Sequence, residues 1–515
     1  MNFPRPRHRN TAPPPRHIGT VQSAPEAIEH PYPDINGTFA ALVCFALTVL
    51  LANGEQPSSL ARFSSIGALI SIGISVGIDM RHGGLRNLIR ADLMAILAFY
   101  FLTLFEFLFP QPHFDEMIDV RTTHQALLCV DLGFLGLFLG RHLIHPRKQP
   151  FAHTLTYDIP AGWVVFIFWA CFFIGYLHML IAVNFNVVEM VGWFMDPRFS
   201  QPWQRGRLGD WKALIVELGL FIYLIPPLAG IMIARRHRYG AFSLALVCGA
   251  LLFTFFYGFT SGTRNIFASY LVTFLIAYSF ALPFARKKEL VILCISSGFV
   301  MIFATYFMLQ FRNVGFRNYL QGNYEQQDSG GERTMFVDYN LYAICRLVDV
   351  FPHKRDYLGF EIPYQALIRP IPRAIWSGKP EGLSSSIEDA LGVEGVTISA
   401  SFVGEAYMSG GMAAVLVIAL CFGMLTGWWS FLASPKNSEL GILIYASGFF
   451  AAVISMRSLF VFTTALLPTV AALVIGTYAV RLLAKQAGQL LSRAALRSAQ
   501  SRRLPMPPRP APPRK

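Results

Sequence analysis

The sequence predicts an all-α polytopic integral membrane protein, with about 12 transmembrane helices and one large periplasmic loop. Two observations carry that prediction. Charged residues make up only 14% of the 515 residues and hydrophobic ones 54%, with mean hydropathy +0.45. A soluble domain carries about 25% charge, and this chain has more apolar surface than one core can bury. The apolar residues also fall into runs long enough to enter a bilayer, at about 38–53, 61–79, 92–109, 126–143, 159–182, 212–234, 240–258, 265–283, 289–310, 408–431, 438–456 and 459–480. The 45 phenylalanines and 41 glycines suit helices packed closely in lipid.

Five stretches follow. Residues 1–36 form a Pro-rich leader, expected to be disordered and cytoplasmic. Residues 37–310 hold nine spans, 311–403 the large loop, 404–480 the last three spans, and 481–515 a basic tail. The tail has nine Lys/Arg and no acid, and holds much of the +13 net charge. Leu482, Leu483, Leu490, Leu491, Ala494 and Ala495 recur at helical spacing there. That pattern fits a basic amphipathic helix on an anionic membrane surface, or a solvated tail that fixes orientation. Neither reading involves nucleic acid. Six of the seven cysteines lie in apolar runs, so no disulfide framework or zinc spacing is expected, and no cleavable signal peptide is evident.

Orientation follows from Lys and Arg in alternate loops. One set holds Arg81, Arg86 and Arg90; Arg141, Arg147 and Lys148; Arg235, Arg236 and Arg238; Arg286, Lys287 and Lys288; Lys436; and the tail. The other holds Arg62, Arg121, Arg198, Arg205, Arg207, Arg264 and Arg457 more thinly. The denser set should be cytoplasmic, with both termini inside. Arg264, opening a span in the turn Ser261-Gly262-Thr263, then faces out against the bias.

Ionisable residues near the outer ends of spans are Glu106, Asp131, His178, Glu217, Arg264, Glu405 and Arg457, and the cytoplasmic halves are expected to be almost free of charge. Side chains near helix ends also reach water on their own. The one-sided bias favours a polar cavity open to the outside, where charged groups inside a membrane are functional candidates. Arginine holds phosphate through bidentate contacts. No Walker motif, G-x-S-x-G elbow or H-E-x-x-H pair is present, so any chemistry must draw on energy stored in the substrate.

In the large loop, Arg333–Phe351 reads as an amphipathic helix lying on the membrane or capping a cavity. Tyr364–Ser386 is broken by Pro370, Pro372 and Pro380, placing Arg369, Arg373 and Lys379 on a stiff loop beside Trp376, a combination suited to a sugar phosphate. A loop with ordinary interfacial anchors has the same composition. Thr397–Gly411 then runs through Gly404-Glu405-Ala406-Tyr407 into an apolar span.

These segments resemble the bacterial O-antigen and exopolysaccharide repeat-unit polymerase family. The resemblance rests on the Ser261–Arg264 turn, the "IPRAIWSGKP" segment from Ile371 to Pro380, the Thr397–Gly411 stretch and the late large loop, and covers mainly residues 255–430. The chain departs from it in carrying "YMSGG" where many relatives have Asn-Phe-Gly. The resemblance implies a membrane glycosyltransferase that joins polyprenyl-pyrophosphate-linked oligosaccharide repeats at the periplasmic face. It needs no cofactor, and its partners would be those substrates, membrane lipids, a chain-length regulator and a flippase.

On that reading Glu405 is the candidate base, with an arginine partnership as its structural alternative. Arg264 and Arg373 are the first candidates to stabilise the departing pyrophosphate, and Lys379, Arg312, Arg457, Arg369, Trp376 and Tyr407 are candidate substrate contacts. No metal is required, although His113, Asp115, Glu116 and Asp119 share one outer loop. Two alternatives stay open. A transferase adding one sugar or ligating a chain often uses an outer-loop histidine, as His353 would be. A flippase or exporter should carry ionisable groups along its whole path.

Overall fold

The computed structural model describes residues 31–144, 151–197, 200–203, 212–282, 286–312, 314–322, 340–371, 375–376, 378–380, 383–384, 386–391, 398–434 and 437–501. Among them the chain is all-helical, with no strand. The helices used below are α1 (Ile35–Leu51), α2 (Pro57–Gly83), α3 (Ala91–Thr103), α4 (Val120–Gly140), α5 (Ala161–Ala182), α6 (Ile215–Ala234, partly 3-10), α7 (Ala241–Thr260), α8 (Arg264–Ala281), α9 (Lys287–Phe311), α10 (Asn340–Val350), α11 (Glu361–Ile368), α12 (Ser401–Ser430), α13 (Glu439–Ile454), α14 (Leu459–Ala465) and α15 (Leu467–Ser501).

Among the described residues nine helical stretches are long and apolar enough to cross a membrane: α2, α4 to α9, α12, and α14 with the first part of α15. The apolar helices α1, α3 and α13 are shorter. All twelve apolar runs are therefore helical where they are described, but three are shorter than the rest. The chain is a membrane protein by this measure. The helix α9 shows why water is the wrong solvent for it: Ile292, Ile295, Phe299, Ile302 and Phe303 are all exposed.

The helices form two large apolar clusters and a small third one, in which α8 meets α9. Of the large ones, one joins α1 to α4 with α10, α11 and α12, and the other joins α5 to α8 with α13 and α15. The contact between α4 and α12 is the closest backbone seam in the first. Gly136 and Gly140 on α4 face Gly423 and Gly427 on α12, each pair four residues apart. A Cβ on Gly423 would sit 2.7 Å from the Leu137 carbonyl, and one on Gly427 2.7 Å from that of Arg141. Only hydrogen fits there. Paired small residues at this spacing let membrane helices approach and gain dispersion contact that lipid tails cannot match.

The start of α12 departs from the expected boundary. The helix opens at Ser401, seven residues before the apolar run at 408, and breaks at Gly410 and Gly411, where Gly411 has φ 68°. Glu405 thus lies inside a helical segment, one turn from its start. The break leaves the Met408 carbonyl to accept from the Leu358 backbone amide at 2.9 Å, which ties the segment before α11 to α12. Asn340 at the head of α10 fastens the other side. Its amide donates to the Leu102 carbonyl (2.8 Å) and its oxygen accepts from the Ser401 amide (3.0 Å). The apolar spacing that suggested a surface helix here belongs to α10, which is buried against α4 and α12. Residues 333–339 of that segment lie outside the described residues.

Two terminal boundaries also move. Tyr32 and Asp34, placed in the leader by the sequence, are packed into the fold (below), and residues 1–30 lie outside the described residues. The basic tail continues α15 without a break as far as Ser501.

Filling the glycine seam should unseat α12. Gly423→Leu is expected to cost at least about 1–3 kcal/mol by overpacking and to lower the melting temperature of the purified protein. Gly77→Ala, where an added Cβ meets nothing within 4 Å, should melt as the parent does. Equal melting of both variants and the parent would remove the seam as a determinant.

Candidate functional site

The helix α14 lies where the two apolar clusters meet, and a cavity opens on each side of it. The first, of about 520 Å³, lies between α11, the loop after it, α12 and α14. Its wall includes Glu405, Arg457, Arg369 and Lys379, four of the residues singled out by sequence. They come from three separate segments, the proline-rich stretch, the start of α12 and the turn before α14, so the fold gathers what the chain disperses.

Each is held for a local reason. The tight turn Ser455–Ser458 links α13 to α14, and the Met456 carbonyl accepts from the Phe402 amide at 3.2 Å, pinning the turn to the start of α12. One turn along α12, Glu405 reaches the open N-terminus of α14. Its two oxygens accept from the Ser458 hydroxyl (2.6 Å) and the Leu459 amide (2.5 Å). A carboxylate there satisfies an amide left without a helical partner and meets the positive end of the helix dipole. Arg457 belongs to the same turn, and its carbonyl accepts from the Ser399 hydroxyl at 3.1 Å. Arg369 ends α11, with its guanidinium 5.4 Å from the Phe460 ring centroid. The Lys379 ammonium donates to the carbonyls of Arg369 (3.0 Å) and Ile371 (2.9 Å), closing the proline-rich loop upon itself. The opposite wall carries Glu388, whose carboxylate accepts from the Ile398 amide at 3.2 Å. Ser386 and Asp389 exchange amide-to-side-chain bonds of 3.1 Å and set the turn that bears Glu388. The same bonding holds the exposed Asp389 carboxyl below its ordinary range.

The remaining sequence candidates lie elsewhere. Trp376 sits in the turn that carries Lys379 but does not line this cavity. Tyr407 points to the other side of α12, where its hydroxyl donates to the Phe351 carbonyl at 3.2 Å. Arg264 starts α8 beside Arg312, because Gly262, at φ 63°, lets the turn pass close to the Arg312 backbone. Neither arginine lines the cavity. Arg373 lies outside the described residues. The acids and histidine of the early loop make separate contacts, with His113 3.6 Å from Glu116. Asp115 accepts from the Ser58 amide and hydroxyl, both at 2.6 Å, and Asp119 caps α4 through Thr122. No group of three potential metal ligands occurs among the described residues. His353 is exposed in the turn after α10.

Three cations and two carboxylates around one cavity suit a polyanionic group that must be held and released. Glu388, Ser458 and Phe460 were not anticipated from the sequence. Ser458 had a signal, a capping residue between two apolar runs.

The opposite end of the bundle corrects an expectation. The span ends there are not free of charge. Arg90 and Arg141, counted as loop cations, are both fully buried with Asp79 and Asp92. Arg90 pairs with Asp79 at 2.7 Å and with Asp92 at 3.0 Å, and donates to the Tyr32 carbonyl at 2.8 Å. Arg141 lies 3.7 Å from Asp92 and donates to Ser75 and Thr38, each at 3.1 Å. The Ser430 hydroxyl donates to Asp92 at 2.7 Å, and Asp79 accepts from the Asp34 amide at 2.8 Å. This network joins α1, α2, α3, α4 and α12. An acid at the end of one apolar run and another at the start of the next, with arginine between, was its signal in the sequence.

Residues 228–479, from within α6 into α15, match a family described only as a domain of unknown function (DUF8712). No curated protein and no solved structure matches the chain.

Breaking the buried network leaves charges without partners, which typically costs about 3–5 kcal/mol. Arg90→Ala should therefore sharply reduce the folded yield or melting temperature. Arg457→Ala, at a half-exposed cavity wall, should leave the melting temperature within a few degrees of the parent. If Arg90→Ala melts as the parent does, the network is not structural.

Proposed function

We propose that the protein is a membrane glycosyltransferase that polymerises polyprenyl-pyrophosphate-linked oligosaccharide repeats at the periplasmic face of the bacterial inner membrane. The observation that carries this reading is the cavity walled by Arg369, Lys379, Arg457 and Glu405. The proline-rich segment and the start of α12, which border it, are two of the segments that resemble repeat-unit polymerases.

In this scheme an acceptor hydroxyl attacks the anomeric carbon of the growing chain. The bond to pyrophosphate breaks, and the leaving group departs with the electron pair. Arg369, Lys379 and Arg457 stabilise the charge that collects on it. Glu405, held by Ser458 and Leu459, retains lone pairs towards the cavity and takes the hydroxyl proton. The twelve apolar helices all cross the membrane in this reading, with both termini cytoplasmic and the segment between α9 and α12 periplasmic.

A second reading, a flippase, gains one observation. Ionisable residues lie at both ends of the bundle, so their absence from one end no longer argues against transport. The two readings separate on deletion of the gene followed by gel analysis of surface polysaccharide. Loss of long chains with single-repeat material retained supports the polymerase. Loss of the single-repeat material as well supports the flippase and overturns the polymerase.

Two further outcomes are expected. A reporter fused after Arg236 should register as cytoplasmic, and one fused near Gly330 as periplasmic; a cytoplasmic signal from Gly330 would remove the outer face on which the chemistry depends. Purified Glu405→Gln should melt close to the parent yet elongate a lipid-linked repeat slower by about 10² to 10⁴, the usual effect of losing a general base. Elongation at the parental rate would reject Glu405 as the base, and an unstable variant would assign it to capping α14 alone.

A further inference from the structure

The cavity on the other side of α14 has opposite chemistry. It encloses about 320 Å³, at the small end of ligand sites. Its walls come from α5 to α8 and from α13 to α15, and Val461 on α14 lines this cavity and the cationic one alike. Tyr223, Tyr257, Tyr270 and Phe450 supply aromatic surface, and His178, Glu217 and Asn265 supply polar groups. None of the described residues lining it is Lys or Arg.

His178 is the informative residue. It is 5% exposed, and its Nδ1 lies 2.9 Å from the Gly175 carbonyl. A carbonyl oxygen only accepts, so Nδ1 carries the proton, and in the neutral ring Nε2 keeps its lone pair. Nε2 makes no hydrogen bond among the described residues, while its ring borders the cavity and abuts Gly219, where a Cβ would lie 3.0 Å from Cε1. An acceptor placed this way at a cavity wall can take a hydrogen bond from a donor that enters the cavity.

We propose that this cavity is a binding subsite for an uncharged sugar ring, with His178 Nε2 accepting a hydrogen bond from one of its hydroxyls. Each part of the wall matches such a ligand. Aromatic faces pack on the C–H face of a pyranose, Asn265 can donate and accept, and Glu217 accepts only. A phosphate would find no Lys or Arg among the described residues of the wall. An acyl chain would leave His178 without a donor. Its place beside the cationic cavity makes it the acceptor subsite; that role, though not the binding itself, rests on the transferase reading.

The test uses the full chain in nanodiscs free of glycoside detergents. Saturation-transfer NMR would be recorded with glucose, galactose, mannose, rhamnose and N-acetylglucosamine. At least one sugar should bind. His178→Phe keeps the ring but removes the acceptor, and should weaken that binding about tenfold, the typical effect of one lost hydrogen bond. His178→Gln, whose amide oxygen can accept, should recover part of it. If His178→Phe does not fold, Asn265→Ala at the half-exposed start of α8 replaces it, with the same expected weakening. No binding of any sugar, or equal binding by parent and variant, overturns the subsite. Sugar binding lost in the variant, together with unchanged polysaccharide length in the deletion strain, would keep the subsite and reject the polymerase.

Discussion

The close approach of α4 and α12 is the constraint on which the rest depends. Two glycine pairs, Gly136 with Gly140 and Gly423 with Gly427, bring backbone against backbone along this seam. In lipid there is no hydrophobic drive to bring helices together, so contact at this range must supply the attraction. The seam fixes the height of α12 relative to the first cluster. At one end of α12, Ser430 meets Asp92 and the Arg90–Arg141 network. At the other, Phe402 meets the turn before α14, and Glu405 reaches the head of that helix. A change of register along the seam would shift both ends at once.

The two polar ends of the bundle differ in kind. The Arg90–Asp79–Asp92–Arg141 network is turned inward: its charges face each other, they are buried, and hydroxyls of Thr38, Ser75 and Ser430 add hydrogen bonds to it. Buried ion pairs of this sort specify which helices meet more than they add stability. At the other end the cations line a cavity of about 520 Å³. Charge that is mutually satisfied holds helices together, and charge arranged around a space can act on something that enters it. The proposed chemistry belongs to the second end for that reason.

Much of this was legible in the sequence, and the failures share a cause. The apolar runs became helices because twenty or so apolar residues have few other ways to satisfy their backbone in lipid. Glu405 and Arg457 stood out as charges near span ends and Arg369 and Lys379 as cations on a proline-rich loop, and the fold brings them to one cavity. Loop counting, in contrast, treats every Lys and Arg as solvated. It could not separate Arg90 and Arg141, buried between helices, from Arg236, which is exposed. Tyr407 shares a helix with Glu405 but faces away, because neighbours two apart on a helix point in different directions. The start of α12 was placed late because Thr, Ser, Gly and Glu look like loop in composition, whereas here the Asn340 oxygen and the Met456 carbonyl accept from the amides of Ser401 and Phe402 at the helix head. His178 was marked as an ionisable group near a span end. Its open Nε2 was visible only once Gly175 was seen to hold Nδ1.

The short helix α14 joins these observations into one arrangement. Its first turn takes Glu405 as a cap, while Phe460 lies under Arg369 on the cationic side. Val461 lines both cavities, and Thr464 and Ala465 face the aromatic one. The helix is seven residues long, too short to hold its place by its own hydrogen bonds. It is fixed from outside, by Glu405 at its head and by the Thr463 hydroxyl donating to the Ala366 carbonyl at 2.6 Å. A transferase must hold a charged leaving group and an uncharged acceptor close together without letting either take the other's place. A thin, externally braced partition with cations on one face and a tyrosine-lined pocket on the other meets that requirement. It also makes Glu405 answerable to two demands, since the carboxylate that borders the cationic cavity is the one that keeps the partition standing.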